Sequence, residues 1–219
     1  MSQVTIVDYG VGNVRSIINA LEKVGATSVV VSNDKETILN SDGVVLPGVG
    51  AFSHGMAKLK ENGLDAVIKD YAGMNKPLLG ICLGMQMLFS ESEEFGLTLG
   101  LDLIEGKIQK LKTLNPGYEK LPHVSWNEIA QPDAQAWDNT ILDGLNDKAN
   151  MYFVHTFAAS PLHEEHILST TEYSDYVFCS TVKKGNIYGC QFHPEKSAVE
   201  GLSIMKNFVK ICEESKNGK

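Results

Sequence analysis

Leu78-Leu79-Gly80-Ile81-Cys82-Leu83-Gly84-Met85-Gln86-Met87-Leu88-Phe89 is the stretch on which the reading of this chain turns. Residues 78–81 form a short apolar run of strand character. Helical spacing of apolar residues follows from Met85 with almost no loop between. Gly80 and Gly84 supply the backbone freedom that so sharp a turn needs. Cys82 stands at the bend, as the serine of a nucleophile elbow does. A free cysteine is more often a buried, inert core residue. The Gly-x-Cys-x-Gly frame weighs the other way. It lets a substrate approach closely and sets the thiol at a helix N-terminus, where backbone N–H groups favour negative charge. On this stretch alone both readings stand.

Outward from the bend, the same alternation of strand and helix repeats toward the N-terminus. Val4, Thr5, Ile6 and Val7 form a β-rich run ended by Asp8-Tyr9-Gly10. Ile17, Ile18, Leu21 and Val24 then share one helical face, with Gly25 as the stop signal. Val29-Val30-Val31 and Val44-Val45-Leu46 read as further strands, the latter ended by Pro47-Gly48. Met56, Leu59, Val67, Ile68 and Tyr71 mark a helical stretch interrupted near Gly63. Short apolar strands separated by helices predict an α/β fold, a largely parallel central sheet flanked by helices.

Beyond residue 97 the helical periodicity fades. Runs at 107–111, 151–157, 176–182 and 187–192 are β-like and read as an antiparallel extension of the same sheet. Residues 131–139 are polar and read as a surface loop. A last helix starts near Gly201, with Leu202, Met205, Phe208, Val209 and Cys212 on its apolar side. The expectation is one domain over residues 1–213, with a polar tail at 214–219 that frays together with Glu213.

Composition excludes several classes of function. The chain of 219 residues carries 19 Lys+Arg against 27 Asp+Glu, a formal net charge of -8. Nucleic-acid binding needs basic surface and is disfavoured. Arg15 is the only arginine, so a multi-arginine phosphate clamp is excluded. A hydrophobic share of 43% argues against disorder. No run approaches the roughly 20 apolar residues of a spanning helix, and the first ten residues read as a strand, not a signal peptide. Cys82, Cys179, Cys190 and Cys212 form no CxxC pair, the last three reading as core. His54, His163 and His166 lack metal-like partners. No metal and no cofactor is expected, and free thiols in an acidic chain point to the cytoplasm. Gly10-x-Gly12 opens like a dinucleotide fingerprint, but the third glycine is replaced by Arg15.

Two more segments carry chemistry. In Gln191-Phe192-His193-Pro194-Glu195, residues two apart on an extended segment face the same side. His193 and Glu195 would then project together, the carboxylate setting the tautomer and leaving one imidazole nitrogen for a thiol. A solvated turn with an incidental ion pair fits the same residues. In Leu46-Pro47-Gly48-Val49-Gly50-Ala51-Phe52, two glycines around a valine would let a peptide offer its N–H to a developing oxyanion. An ordinary βα turn fits too. The elbow and the Pro47–Gly50 segment both follow strands, and strand ends of a parallel sheet meet at one edge, so the latter supports the former. Cys82, His193 and Glu195 together would supply nucleophile, base and orienter. Glu91, Glu93 and Glu94 read on their own as a solvated helix end.

With these motifs in hand, the chain resembles the class I (triad-type) glutamine amidotransferases. Within them it is similar to the HisH-type glutaminase subunits of imidazole glycerol phosphate synthase. The class-level motifs are Pro47-Gly48-Val49-Gly50, Gly80–Gln86 and Phe192-His193-Pro194-Glu195-Lys196-Ser197. The narrower likeness rests on Tyr9–Asn13, Pro122-His123 with Trp126-Asn127, and Tyr152-Phe153-Val154-His155-Thr156, and it spans nearly the whole chain. The resemblance implies a Cys82 nucleophile, a His193 base and a Glu195 orienting carboxylate. It implies oxyanion donors around Val49 and Leu83, flanked by Gly48 and Gly50, and a glutamine held by Gln86, Glu94, Thr156 and Phe157. It implies hydrolysis of L-glutamine through a thioester and passage of ammonia to a (β/α)8-barrel cyclase as heterodimer partner. Asn13, Pro122, His123 and Trp126 would lie near that partner.

The chain departs from the family pattern at Ser125, where glycine is usual, and at Phe157, where tyrosine is common. Three other functions compete: a paralogous glutaminase feeding a sugar amidotransferase of surface polysaccharide synthesis, a stand-alone thiol hydrolase, and a silent binding module.

Overall fold

The computed structural model describes residues 2–112, 121–133 and 136–218. The first half alternates as expected: β1 (Gln3–Val7), α1 (Val14–Lys23), β2 (Ser28–Ser32), α2 (Lys35–Asn40), β3 (Gly43–Leu46), α3 (Phe52–Glu61), α4 (Leu64–Gly73), β4 (Leu78–Ile81) and α5 (Leu83–Met87). The second half is β-rich: β5 (Phe89–Ser92), β6 (Thr98–Leu99), β7 (Ile104–Lys110), β8 (His123–Glu128), β9 (Asn150–His155), β10 (Phe157–Pro161), β11 (Ile167–Tyr173), β12 (Tyr176–Lys184) and β13 (Ile187–Cys190), closed by α6 (Ala198–Lys216).

Among the described residues the main sheet runs β2-β1-β3-β4-β13-β12-β10-β7-β5-β6, with β11 beside β12. From β2 through β13 every pairing is parallel. From β13 onward antiparallel pairing dominates, through β12, β10 and β7. The parallel part reads as unbroken apolar runs because it is covered on both faces. Val44, Leu46 and Leu78 pack with Ile38, Met56, Leu59 and Ile68 of α2, α3 and α4. Val45, Leu79 and Ile81 face the other way, into a cluster with Ile17 and Leu21 of α1 and Phe208 of α6.

Local signals explain the breaks. Gly25 is left-handed at φ 95° just past α1, and Gly63 at φ 64° separates α3 from α4. Asp34 caps α2, its carboxylate accepting from the Thr37 N–H at 2.8 Å.

Four expectations need correction. The run at 187–192 is not simply part of the antiparallel extension: β13 pairs parallel with β4 and antiparallel only with β12. The run at 151–157 is not one strand of the main sheet. It splits at Thr156, and its first part pairs with β8 in a separate two-stranded sheet, His123 opposite His155. Met151 and Phe153 on β9 sink into the core beneath that sheet. Strand β8 escapes a reading by pattern because its sequence, HVSWNE, is largely polar. The polar 131–139 segment is not merely a surface loop: Trp137 is buried and its indole N–H donates to the Leu168 carbonyl at 2.7 Å. Residues 134–135 of that segment lie outside the described residues. The tail expected to fray from Glu213 is helical through Lys216, whose ammonium meets Asp42 at 2.8 Å.

Candidate active site

Strands β3, β4 and β13 are parallel neighbours, so the segments leaving their C-terminal ends converge. These are Pro47–Gly50, Cys82–Gly84 and Gln191–His193, the three picked out from sequence.

The bend at Cys82 is strained, with φ 54° and ψ -111°, a conformation L-residues adopt only under constraint. The constraint is packing. The Cys82 N–H donates to the Cys190 carbonyl at 2.7 Å, and the Gln86 N–H returns to the Cys82 carbonyl at 3.1 Å. A Cβ at Gly80 would lie 2.7 Å from the Met85 nitrogen, and one at Gly84 would collide with the Leu46 carbonyl oxygen. Both glycines are therefore close-approach residues, holding α5 hard against β3 and β4.

Gly48 is squeezed in the same way. A Cβ there would stand 2.6 Å from the Tyr9 hydroxyl and 2.9 Å from Leu83 Cβ. Tyr9 is buried and its hydroxyl donates to the Pro47 carbonyl at 2.7 Å. Burial, with the Cys82 charge as a smaller contribution, pushes the phenol well above its ordinary pKa and keeps it a donor. Val49 is half-exposed and Gly50 is left-handed at φ 94°.

His193 is held by its backbone. Its N–H donates to the Tyr152 carbonyl of β9 at 3.0 Å, and the Ser197 hydroxyl donates to its carbonyl at 2.7 Å. Residues Pro194–Lys196 form a 3-10 turn, so the expected extended geometry is absent. The turn nevertheless brings Glu195 back, and its carboxylate accepts from His193 Nδ1 at 2.8 Å. Both side chains are buried, at 3% and 1% exposure, which makes this pair unlike a solvated ion pair. His193 Nε2 is buried without a hydrogen-bond partner of good geometry among the described residues. Burial alone would lower the pKa of this ring. The adjoining Cys82 thiol and the Glu195 carboxylate outweigh it and raise it to about 9. The imidazole is thus placed to accept a proton from the neighbouring thiol.

These groups open on a cavity of about 290 Å³. Of the residues expected to hold substrate, Val49, Gly50, Leu83, Gln86, Glu94, Thr156 and Phe157 line it, with Cys82 and His193. Gly48 lies behind it. Glu94 is not at a helix end; its carboxylate accepts from the Phe52 N–H, at the start of α3, at 2.7 Å. Of the residues expected near a partner, Pro122 lines the cavity and His123 is fully buried. Asn13 is exposed, as are Trp126 and its neighbour Val124, each about half. Among the described residues no group of three His, Cys, Asp or Glu side chains is placed to hold a metal, and no helix is long and apolar enough to cross a membrane.

From the cavity wall runs a hydrogen-bonded line that sequence reasoning missed. His155 Nδ1 donates to the Phe157 carbonyl at 2.8 Å. Burial lowers the His155 pKa to about 3 and the His123 pKa to about 4, so both rings are neutral at pH 7. His155 Nε2 must then accept, and His123 Nδ1 donates to it at 3.1 Å. His123 Nε2 in turn accepts from the Ser125 hydroxyl at 2.8 Å. Ser125, where glycine is usual, thus supplies the last donor. Both histidines lie in motifs visible in the sequence, but only the cross-strand register of β8 and β9 reveals that they meet.

These two rings make an acid limb for stability. An unfolded histidine binds a proton near about 6.5, while these resist it in the folded state. Their contribution is therefore complete above that pH and is lost as pH falls toward 4. Unfolding free energy measured with urea is expected to drop by about 3 kcal/mol, roughly half from each ring, between roughly pH 6.5 and 5. Both rings should keep neutral ¹⁵N shifts over that range. An unchanged unfolding free energy, or a protonated ring at pH 5, would contradict it.

The family model for glutamine amidotransferase class-I matches residues 5–212. The chain belongs to the class-I glutamine amidotransferase family. Within this family it groups with the HisH subunits. It is 44% identical over 214 residues to the imidazole glycerol phosphate synthase subunit HisH 1 of Legionella pneumophila (strain Paris), covering 96% of this chain and 100% of that one. It is 42% identical to the HisH subunit of Moorella thermoacetica, covering 99% of both, and 44% identical to that of Methanosarcina barkeri, covering 97% and 100%. The fold is shared with the solved structure of PurLQS from Thermotoga maritima, at TM-score 0.69 and 19% identity over 99% of this chain and 100% of that one.

Proposed function

We propose that this amidotransferase hydrolyses the side-chain amide of L-glutamine and hands the ammonia to a cyclase of imidazole glycerol phosphate synthase, as the glutaminase half of a heterodimer. The observation that carries this reading is Cys82 held strained at the head of a cavity beside a buried His193–Glu195 pair. His193 Nε2 takes the thiol proton, and the sulfur adds to the carboxamide carbon. The N–H groups of Val49 and Leu83 receive the oxyanion; Leu83, first residue of α5, has no intrahelical partner for its own. The imidazolium returns the proton to the amine of the tetrahedral adduct, the C–N bond breaks, and ammonia departs, leaving a thioester on Cys82. Water, deprotonated by His193, then releases glutamate and the thiol. Gln86 and Glu94 hold the substrate's polar ends.

The partner is a (β/α)8 barrel docked over the exposed Val124–Trp126 face, beside Pro122 at the cavity. The four buried free cysteines suit the reducing cytoplasm. Ammonia then passes from the cavity to the barrel without meeting bulk water. Glutamine turnover by the isolated chain is expected to be low and to rise by about 10- to 100-fold with the barrel cyclase, typical of such coupling. Equal rates with and without it, or co-purification with a nucleotide-binding ligase instead, would refute the assignment. Trp126→Ala should weaken partner binding by at least about tenfold while leaving the melting temperature unchanged. Calorimetric titration checks it, and undiminished affinity would remove Trp126 from the interface.

A further inference from the structure

Gln191 is fully buried, and its side chain takes no part in the steps from thiol to thioester. Its amide orientation is nevertheless dictated by its neighbours. The Phe157 carbonyl can only accept, so the group of Gln86 that meets it at 3.0 Å is the NH2. That same Gln86 nitrogen lies 3.0 Å from Gln191, which must therefore present its oxygen there. The Gln191 NH2 is left facing Cys82 Sγ, at 3.9 Å. The sulfur's other neighbour in this direction, the Val154 carbonyl at 3.9 Å, can accept a thiol proton but cannot stabilise a thiolate.

We propose that Gln191 is a hydrogen-bond donor to the attacking sulfur, its polarity set by Gln86 and the Phe157 carbonyl. This rests on the glutaminase reading for its purpose but not for its test. When His193 removes the thiol proton, charge appears on a sulfur that is largely buried. A fixed N–H aimed at it stabilises that charge and holds the sulfur toward the cavity. The device extends outward. His155 donates to the same Phe157 carbonyl, and through His123 the line reaches Ser125 on β8, between the exposed Val124 and Trp126. The carbonyl that orients Gln86 is therefore clamped from the strand proposed to face the partner.

The test uses a probe that needs no glutamine. Cys82 in the purified chain is alkylated with iodoacetamide at fixed pH, and its rate is followed by mass spectrometry of the Cys82 peptide. Gln191→Glu keeps the shape and the acceptor for Gln86 but turns an acceptor toward the sulfur. Gln191→Met keeps the length and has no donor. Both should slow Cys82 alkylation by at least about tenfold in protein that circular dichroism shows to be folded, whatever the loss in melting temperature. In glutamine turnover they should lower kcat more than they raise KM. Alkylation of both folded variants within about twofold of the wild-type rate would overturn the proposal. Should neither variant fold, ¹⁵N-glutamine labelling of the otherwise unaltered chain decides it. Alkylating Cys82 should shift the Gln191 NH2 resonances, and unmoved resonances would overturn it. A wild-type chain that never turns over glutamine would sink the glutaminase reading while the alkylation rates still report on Gln191.

Discussion

Cys82→Ala is expected to lower glutamine turnover by more than roughly four orders of magnitude, since it removes the sulfur proposed to bond to substrate. The same protein should still bind its cyclase, and the complex should still turn over with ammonium salt, because ammonia is all that the glutaminase half supplies. The fold should survive: Cys82 is buried, but the truncation removes one sulfur that borders an existing cavity. The pair of measurements separates chemistry from assembly. Persisting glutamine hydrolysis in the Cys82→Ala protein would remove the thiol from the mechanism, and loss of the ammonium-dependent rate would mean that the elbow also shapes the interface.

Gly84→Ala is the second large effect, and it acts through geometry. The added Cβ would occupy the space of the Leu46 carbonyl oxygen and lie 2.8 Å from the Leu46 carbonyl carbon. Neither belongs to a flexible side-chain end, so α5 must move away from β3. We expect a loss of about 3 kcal/mol in stability from the forced repacking. Activity should fall further, by about 100-fold, because α5 carries Leu83 and Gln86 and directly follows Cys82, and displacements near 1 Å cost that much. Gly73→Ala in α4 is the control. Its Cβ would meet nothing within 4 Å, so the substitution should be neutral or mildly stabilising. Denaturant midpoints and glutaminase rates for the two variants test this; equal effects would mean that Gly84 is not a close-approach residue.

The parallel half of the fold was legible because its information is local. Val44–Leu46 and Leu78–Ile81 are apolar at every position, which only a sheet covered on both faces allows. The elbow was legible because two glycines flank one cysteine over five residues. The His193–Glu195 pair was legible in composition but not in conformation, since a 3-10 turn rather than an extended strand joins its members. Strand β8 was not legible. A polar sequence becomes a strand there because β9 offers it a ladder from His123–His155 to Glu128–Asn150.

Residue types and their spacing determined the α/β class, the three segments that meet at the cavity and the thiol, imidazole and carboxylate they carry. Tertiary structure alone decided that His123 is buried rather than exposed, that it meets His155, and that the Gln191 amide turns its NH2 to the sulfur. The reason is physical: hydrogen-bond polarity and burial are set by partners far away along the chain, 32 residues for the two rings and 109 for the amide and the thiol. No local pattern encodes which partner arrives.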